Sequence, residues 1–467
     1  MAVLAASFGT SAANIALPAV TTSFDASPSE AQWVVVAYLL GMTAASVMVG
    51  ALGDRWGRRR ALSAGLAVFL LAAAVSAAAP TLLILVLARA VQGVAAAVMT
   101  ALPLALARDV TSREQTGRVV GLLGTTSAVG TALGPAVGGA LVQWGGWAVP
   151  FWAMVPFGAL ALVLHAWRGR RGPDAPARPA GRFDVIGATL LSAAIATYTL
   201  AFTTVTPGGS ALPLLGVAAA LLVATVAVER RSPAPVLPLP ELRSNTVVAG
   251  VMGNLLVAAV MMTTLIVGPF ALHDGLDLPV AGAGLVMAVG PVMSAISGVI
   301  AGRLVGRASP RALSATGLVA VTTGATALAV LPGVWGAPGY VVALLILTPG
   351  YQLFLAAANT RVLSDADPDR RGTVAGVLAL ARNVGLVTGA SAMGALFVAL
   401  QGAETGPSAV LSAARGSFLV AAALAAVALV AFLILTVREP RPRPRRAPAG
   451  GPTREGSQRP GRTSPVS

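Results

Sequence analysis

Gly50-Ala51-Leu52-Gly53-Asp54-Arg55-Trp56-Gly57-Arg58-Arg59-Arg60 packs an acid, four arginines and three glycines into eleven residues between two long apolar runs. A charge at the centre of a bilayer costs several kcal/mol, so this segment does not belong in hydrocarbon. Its composition predicts a tight charged turn at a membrane surface, and its arginines say which surface. The glycines are expected to let the chain bend sharply where two helices meet.

The flanking composition agrees. The chain of 467 residues is 56% hydrophobic and only 10% charged, with mean hydropathy +0.80. A soluble domain carries about 25% charged residues, so this chain cannot cover a water-facing surface. The fold class expected is an all-α polytopic membrane protein. Cysteine is absent, which excludes disulfides and thiol chemistry. His165 and His273 lie far apart and suggest no metal cluster. A phosphate-binding loop of the Gly-x4-Gly-Lys type is excluded because there is no lysine. An enzyme is therefore not expected.

Apolar runs long enough to span a bilayer fall near 2–20, 31–51, 61–79, 81–104, 119–142, 149–167, 184–205, 210–228, 245–271, 280–301, 312–331, 337–360, 372–400 and 413–436. That predicts fourteen spans. The first begins at Met1 without a basic leader and reads as a retained helix; a longer natural N-terminus is left open. All 32 basic residues are arginine. Twenty-one of them occupy every second loop and eight more the tail, while the opposite loops hold only Arg415. This bias predicts cytoplasmic termini and a multi-pass plasma-membrane protein. A nucleic-acid binder has no reason to place its arginines in alternate loops. From about 437 to 467 the chain is Arg-, Pro- and Gly-rich and reads as a disordered basic tail.

The charged stretch has an echo at Gly302-Arg303-Leu304-Val305-Gly306-Arg307-Ala308-Ser309-Pro310-Arg311, where Gly306 stands in the place of Asp54. Setting aside 184–205 and 210–228 as an inserted pair within 168–243, each copy follows the second span of its half. The expected domains are 1–167 and 244–436, two six-helix bundles around a midplane cavity.

At these residues the chain resembles the major facilitator superfamily, and within it the fourteen-helix drug:proton antiporters. Gly50, Leu52, Asp54, Arg55, Gly57, Arg58 and Arg59 match the signature of the loop between the second and third helices. Leu87-Ala88-Arg89-Ala90-Val91-Gln92-Gly93 is similar to the fourth-helix motif with its buried arginine. Gly130-Thr131-Ala132-Leu133-Gly134-Pro135-Ala136-Val137-Gly138-Gly139 resembles the fifth-helix antiporter motif. Trp33 and Tyr38, Arg182 to Gly187, and Arg382-Asn383-Val384-Gly385 match further patterns. Asn14 ends a first-helix signature whose usual acid, five residues earlier, is Gly9 here.

The resemblance implies two bundles plus two inserted helices and export of a small amphipathic compound by proton antiport. It implies no cofactor beyond the proton gradient. Asp54 is then a latch between the bundles, and Arg89 with Gln92 and Gly93 a substrate or relay site. Arg89 is expected to find carbonyls, Gln92, Asn14 or water as partners, because no acid lies at mid-membrane depth. Candidate cavity residues are Asn14, Tyr38, Asn254, Met262, Asn359, Arg382 and Asn383. A monomer in a lipid bilayer is expected. A facilitator or importer on the same fold, without proton coupling, is the alternative; a non-transporting sensor or scaffold is a remote one.

Overall fold

The computed structural model describes residues 1–110, 113–169, 184–203, 210–232, 244–367, 371–404 and 406–437. Among these residues the chain is helical and no strand is present. The first half is built from α1 (Ala2–Ile15), α2 (Leu17–Phe24), the single turn α3 (Pro28–Ala31), α4 (Trp33–Trp56), α5 (Arg58–Ala77), α6 (Leu82–Val110), α7 (Arg113–Gly145) and α8 (Val149–Gly169). Two helices follow, α9 (Val185–Thr203) and α10 (Leu212–Glu229). The second half comprises α11 (Asn245–Phe270), which runs on through a π-helical turn Ala271–Gly275. It continues with α12 (Val280–Val305), α13 (Pro310–Trp335), α14 (Ala337–Asp365), α15 (Arg371–Thr388) with its own π-helical turn Gly389–Met393, α16 (Gly394–Gln401) and α17 (Pro407–Val437).

Nine of the helices in the described residues are long and apolar enough to cross a membrane, or ten if the bent pair α1–α2 is one span. Two shorter apolar helices, Val149–His165 and Ile186–Phe202, fall within α8 and α9. Large apolar side chains such as Leu71, Val163 and Ile186 face outward, as a lipid-facing surface requires. Helices α9 and α10 pack on each other, and α9 also lies against α4. Tyr198 of α9 hydrogen-bonds Thr388 of α15.

The opening stretch corrects the expectation of an eleven-residue turn. Gly50 to Trp56 are the last turns of α4, and α5 begins at Arg58. The bend is one residue, Gly57, at φ 84° and ψ 130°. Gly53 instead serves packing: a Cβ there would sit 2.8 Å from Leu102 Cδ2. Gly50, Leu52, Asp54 and Arg55 are described as helix backbone only, and their side chains, like the tail beyond 437 and the loop 170–183, lie outside the described residues. The echo turns differently. The chain leaves α12 at Val305, and Gly306 keeps a right-handed φ of −77°. Even so, α13 begins at Pro310, in register with Arg58.

The first span is also broken. Pro18 has no amide proton and its ring presses on the carbonyl four residues back, so α1 and α2 meet at 59° around Ala16. The hydroxyls of Thr21 and Thr22 donate to Pro18 O at 2.6 and 3.1 Å.

Candidate functional site

Arg89 is fully buried on α6. Its Nε donates to Val34 O on α4 at 3.0 Å, one Nη to Gly9 O on α1 at 3.0 Å, and the other to Gln92 Oε1 at 2.6 Å. The guanidinium carbon lies 4.2 Å from the Tyr38 ring centroid and 5.6 Å from that of Phe151. Hydrogen bonds to a charged donor and ring contacts of this kind offset the cost of burying a cation. No carboxylate joins them among the described residues, so the charge is held by neutral groups. Asn14 is not a partner: its Nδ2 donates to Thr10 O at 3.3 Å, and its Oδ1 is a buried acceptor without a donor among the described residues.

The missing first-helix acid has a direct structural counterpart. Gly9 offers its own carbonyl to Arg89, and a Cβ at Gly9 would stand 3.2 Å from the Phe69 ring and 3.6 Å from Met154 Sδ. Gln92 completes the cluster through Nε2, 3.5 Å from Met154 Sδ. Tyr38 donates its hydroxyl to Ala6 O at 2.9 Å. Gly93 lets α6 meet α4 so closely that a Cβ would overlap Tyr38 O. Arg89, Gln92, Gly93, Tyr38 and Gly9 thus form one unit that staples α1, α4 and α6.

Helix α7 carries two distinct small-residue faces. Gly130, Gly134 and Gly138 lie on α1. A Cβ on Gly130 would be 2.5 Å from Leu4 O, one on Gly134 would overlap Ser11 Oγ, and one on Gly138 would be 3.2 Å from Ile15 Cγ2. Pro135 and Gly139 turn to the opposite half. A Cβ on Gly139 would be 2.9 Å from Val280 O on α12, and one on Gly284 would overlap Pro135 O. At the same end Ala281 N donates to Gln143 Oε1 at 3.0 Å.

The second half repeats the pattern with other residues. Gly385 and Gly389 lie on α11, where a Cβ would overlap Leu255 O or stand 2.5 Å from Ala259 O. Gly394 then meets Gln32, at the head of α4 in the first half. Gln32 is 1% exposed and its Nε2 lacks a hydrogen-bond partner among the described residues. The arginine-poor ends of the two halves therefore meet at two places, α7 with α12 and the α3–α4 junction with α16.

The remaining candidates separate into three groups. Asn254 Nδ2 bridges Gly250 O at 2.8 Å and Asn359 Oδ1 at 3.0 Å, tying α11 to α14. Arg382 is exposed and hydrogen-bonds Tyr351, while its neighbour Asn383 is buried with Oδ1 unpartnered. Met262, expected to line a cavity, is packing instead: it is 1% exposed and lies against Gly389. Arg58 and Arg59 open α5, and His165 Nε2 of α8 lies 3.2 Å from Arg59 O, which gives that histidine a helix-joining role. Sequence reasoning missed Val34, Phe151 and Met154 around Arg89, and Gln32 with Gly394 between the halves. Apolar side chains and main-chain carbonyls carry no motif, whereas the four-residue spacing of Gly385 and Gly389 was a readable signal.

A family model described as Major Facilitator Superfamily matches residues 1–390. The multidrug efflux pump LfrA of Mycolicibacterium smegmatis is 28% identical over 390 residues, 82% of this chain and 76% of that protein. The riboflavin transporter RibZ of Clostridioides difficile is 27% identical over 431 residues, 89% of this chain and 91% of that one. Among solved structures, an auto-inhibited peptide transporter of the POT family superposes with a TM-score of 0.72 at 16% identity, covering 95% of this chain and 97% of that one. That last likeness concerns the fold alone.

Proposed function

The chain belongs to the Major Facilitator Superfamily, and from that premise we propose that it exports small amphipathic compounds in exchange for protons by alternating access. It is a polytopic membrane transporter rather than an enzyme. The observation that carries the exchange reading is the double face of α7. Gly130, Gly134 and Gly138 weld it to α1, while Pro135 and Gly139 bring it backbone to backbone against α12 of the other half. This close seam joins the two halves at the arginine-poor end, and tight packing there favours exchange over leak. The multidrug efflux function named for LfrA supports the direction and cargo class.

The proposed cargo is uncharged or anionic. Arg89 presents a positive charge whose partners are carbonyls, an amide and rings, and Gly9 supplies no carboxylate to welcome a cation. Fourteen spans, cytoplasmic termini, a monomer and the proton gradient as sole co-substrate complete the reading. Asp54 is proposed as the latch of the arginine-rich end, since positive-inside bias accounts for the arginines around it but not for an acid among them. A facilitator or importer is the second reading, favoured by the absence of any acid at mid-membrane depth in the sequence.

The test uses everted membrane vesicles and two fluorescent dyes, one neutral or anionic and one cationic. Accumulation of the neutral or anionic dye that collapses with the pH gradient supports the proposal. Gradient-independent equilibration moves the assignment to the facilitator, and preference for the cationic dye overturns the cargo class.

A further inference from the structure

A cavity of about 310 Å³ opens at the arginine-poor end, outer by the orientation proposed above, between α2 and α3 of one half and α11, α16 and α17 of the other. Its walls are mixed: Thr21, Thr22 and Gln401 stand beside Phe270 and Phe397, whose rings stack at 5.7 Å. The one charged group lining it is Asp274, on the π-helical turn that ends α11. Asp274 Oδ1 lies 3.9 Å from His273 Nε2.

The geometry fixes where a proton can go. His273 Nδ1 is 2.8 Å from Leu278 O, and a carbonyl only accepts, so Nδ1 carries a hydrogen. Nε2 is then the exchangeable position. Without a further proton its lone pair faces a carboxylate oxygen, acceptor to acceptor. One proton removes that repulsion, and it also takes the pair from a net charge of −1 to neutral. The wall opposite favours the same state: the Thr21 and Thr22 hydroxyl protons are committed to Pro18 O, leaving lone pairs that welcome a donor. Both side chains are still open to water, 37% and 42% exposed; drawing the two halves together over them strips that water away, at less cost when the pair is neutral than when it carries a net charge.

We propose that Asp274 and His273 form an external proton-binding site, and that uptake of one proton from the outer water favours closure of the mouth between the halves. The site deepens the exchange reading and rests on it for the consequence of closure. The titratable groups on the adjoining turns and helices are Asp25 and Glu30 from the first half, and Asp277, Glu404 and Arg415 from the second; none of them lines the cavity. Hydrogen bonds from Ser27 to Glu30 hold that carboxyl below the ordinary carboxylate range, so it does not compete for the proton.

The chain contains no cysteine, so Ala26→Cys places a single thiol on the cavity wall. Its labelling by a membrane-impermeant maleimide is followed in proteoliposomes as external pH is stepped from about 8 to about 5. Rates are normalised to Trp144→Cys, at a residue 83% exposed on the end of α7, which corrects for thiolate chemistry. Labelling is expected to slow by about threefold or more on acidification. Asp274→Asn and His273→Gln should each flatten the profile, while Asp274→Glu and Glu30→Gln should keep it. A flat profile in the parent, or an unchanged profile in Asp274→Asn with His273→Gln, overturns the proposal. Because no cargo is involved, the result stands apart from the dye assay: vesicles that fail to export dye while the labelling profile holds would retire the exchange reading and leave the site.

Discussion

Alanine at Gly134 should separate α7 from α1, whereas alanine at Gly138, one helical turn away, should be tolerated. Both changes gain helix propensity, about 1 kcal/mol over glycine. They differ in what the new methyl meets. At Gly138 the nearest atoms are Ile15 Cγ2 at 3.2 Å and Ala12 Cα at 3.4 Å, and the Ile15 methyl has room to turn. At Gly134 the methyl overlaps Ser11 Oγ and meets Ser11 Cβ at 2.7 Å and Ala12 N at 2.8 Å. Two of those atoms belong to a removable side chain and the third is main chain. Overpacking of a close-packed seam costs roughly 1–3 kcal/mol, and a backbone obstacle puts Gly134→Ala at the upper end, well beyond its propensity gain. Gly138→Ala should fall near zero. Ser11→Gly deletes the overlapping atoms and leaves the amide, so it should recover part of the loss, a coupling of about 1 kcal/mol or more. The assay is the apparent melting midpoint of detergent-solubilised protein by fluorescence-detected gel filtration, with dye transport alongside. Equal damage at Gly134 and Gly138, or no relief from Ser11→Gly, would refute the packing argument.

The other expectations are more compact. Gly57→Ala meets no atom within 4 Å but must adopt φ 84° with ψ 130°, outside the left-handed helical well, so it should cost about 1–3 kcal/mol through the backbone alone, with Gly57→Asn no milder in the same melting assay. Arg89→Lys cannot reach Val34 O, Gly9 O and Gln92 together from one nitrogen, and should abolish dye transport with membrane insertion intact; full activity would remove the geometric role. Asp54→Asn at normal expression should reduce transport severalfold, and unchanged transport would sink the latch.

Much of the architecture was legible because bilayers impose a coarse rule: apolar runs about twenty residues long separated by polar breaks. The finer breaks were not legible, for identifiable reasons. Gly50 and Gly53 read as turn residues by composition, yet glycine also serves helix packing, and Gly53 against Leu102 shows which role won. The 59° bend at Pro18 was not anticipated either: 2–20 read as one span because its apolar run continues through the proline. Arg89 was recognisable as a buried cation with carbonyl and Gln92 partners; that Gly9 supplies one of those carbonyls follows only from the approach of α1 to α6. The meeting of Asp274 with the far wall of its cavity had no motif at all, since Thr21 and Thr22 lie some 250 residues away.

The cation at Arg89 has an electrical consequence. Its partners are neutral, so no ionised neighbour accompanies the charge when the first half tilts. A unit charge moved through the full membrane field changes energy by about 2.3 kcal/mol per 100 mV. A tilt that carries the guanidinium through a tenth of that field therefore shifts the balance of the two end states by about 0.2 kcal/mol per 100 mV. Transport of even a neutral cargo would then respond to membrane voltage, through a charge that never leaves the protein.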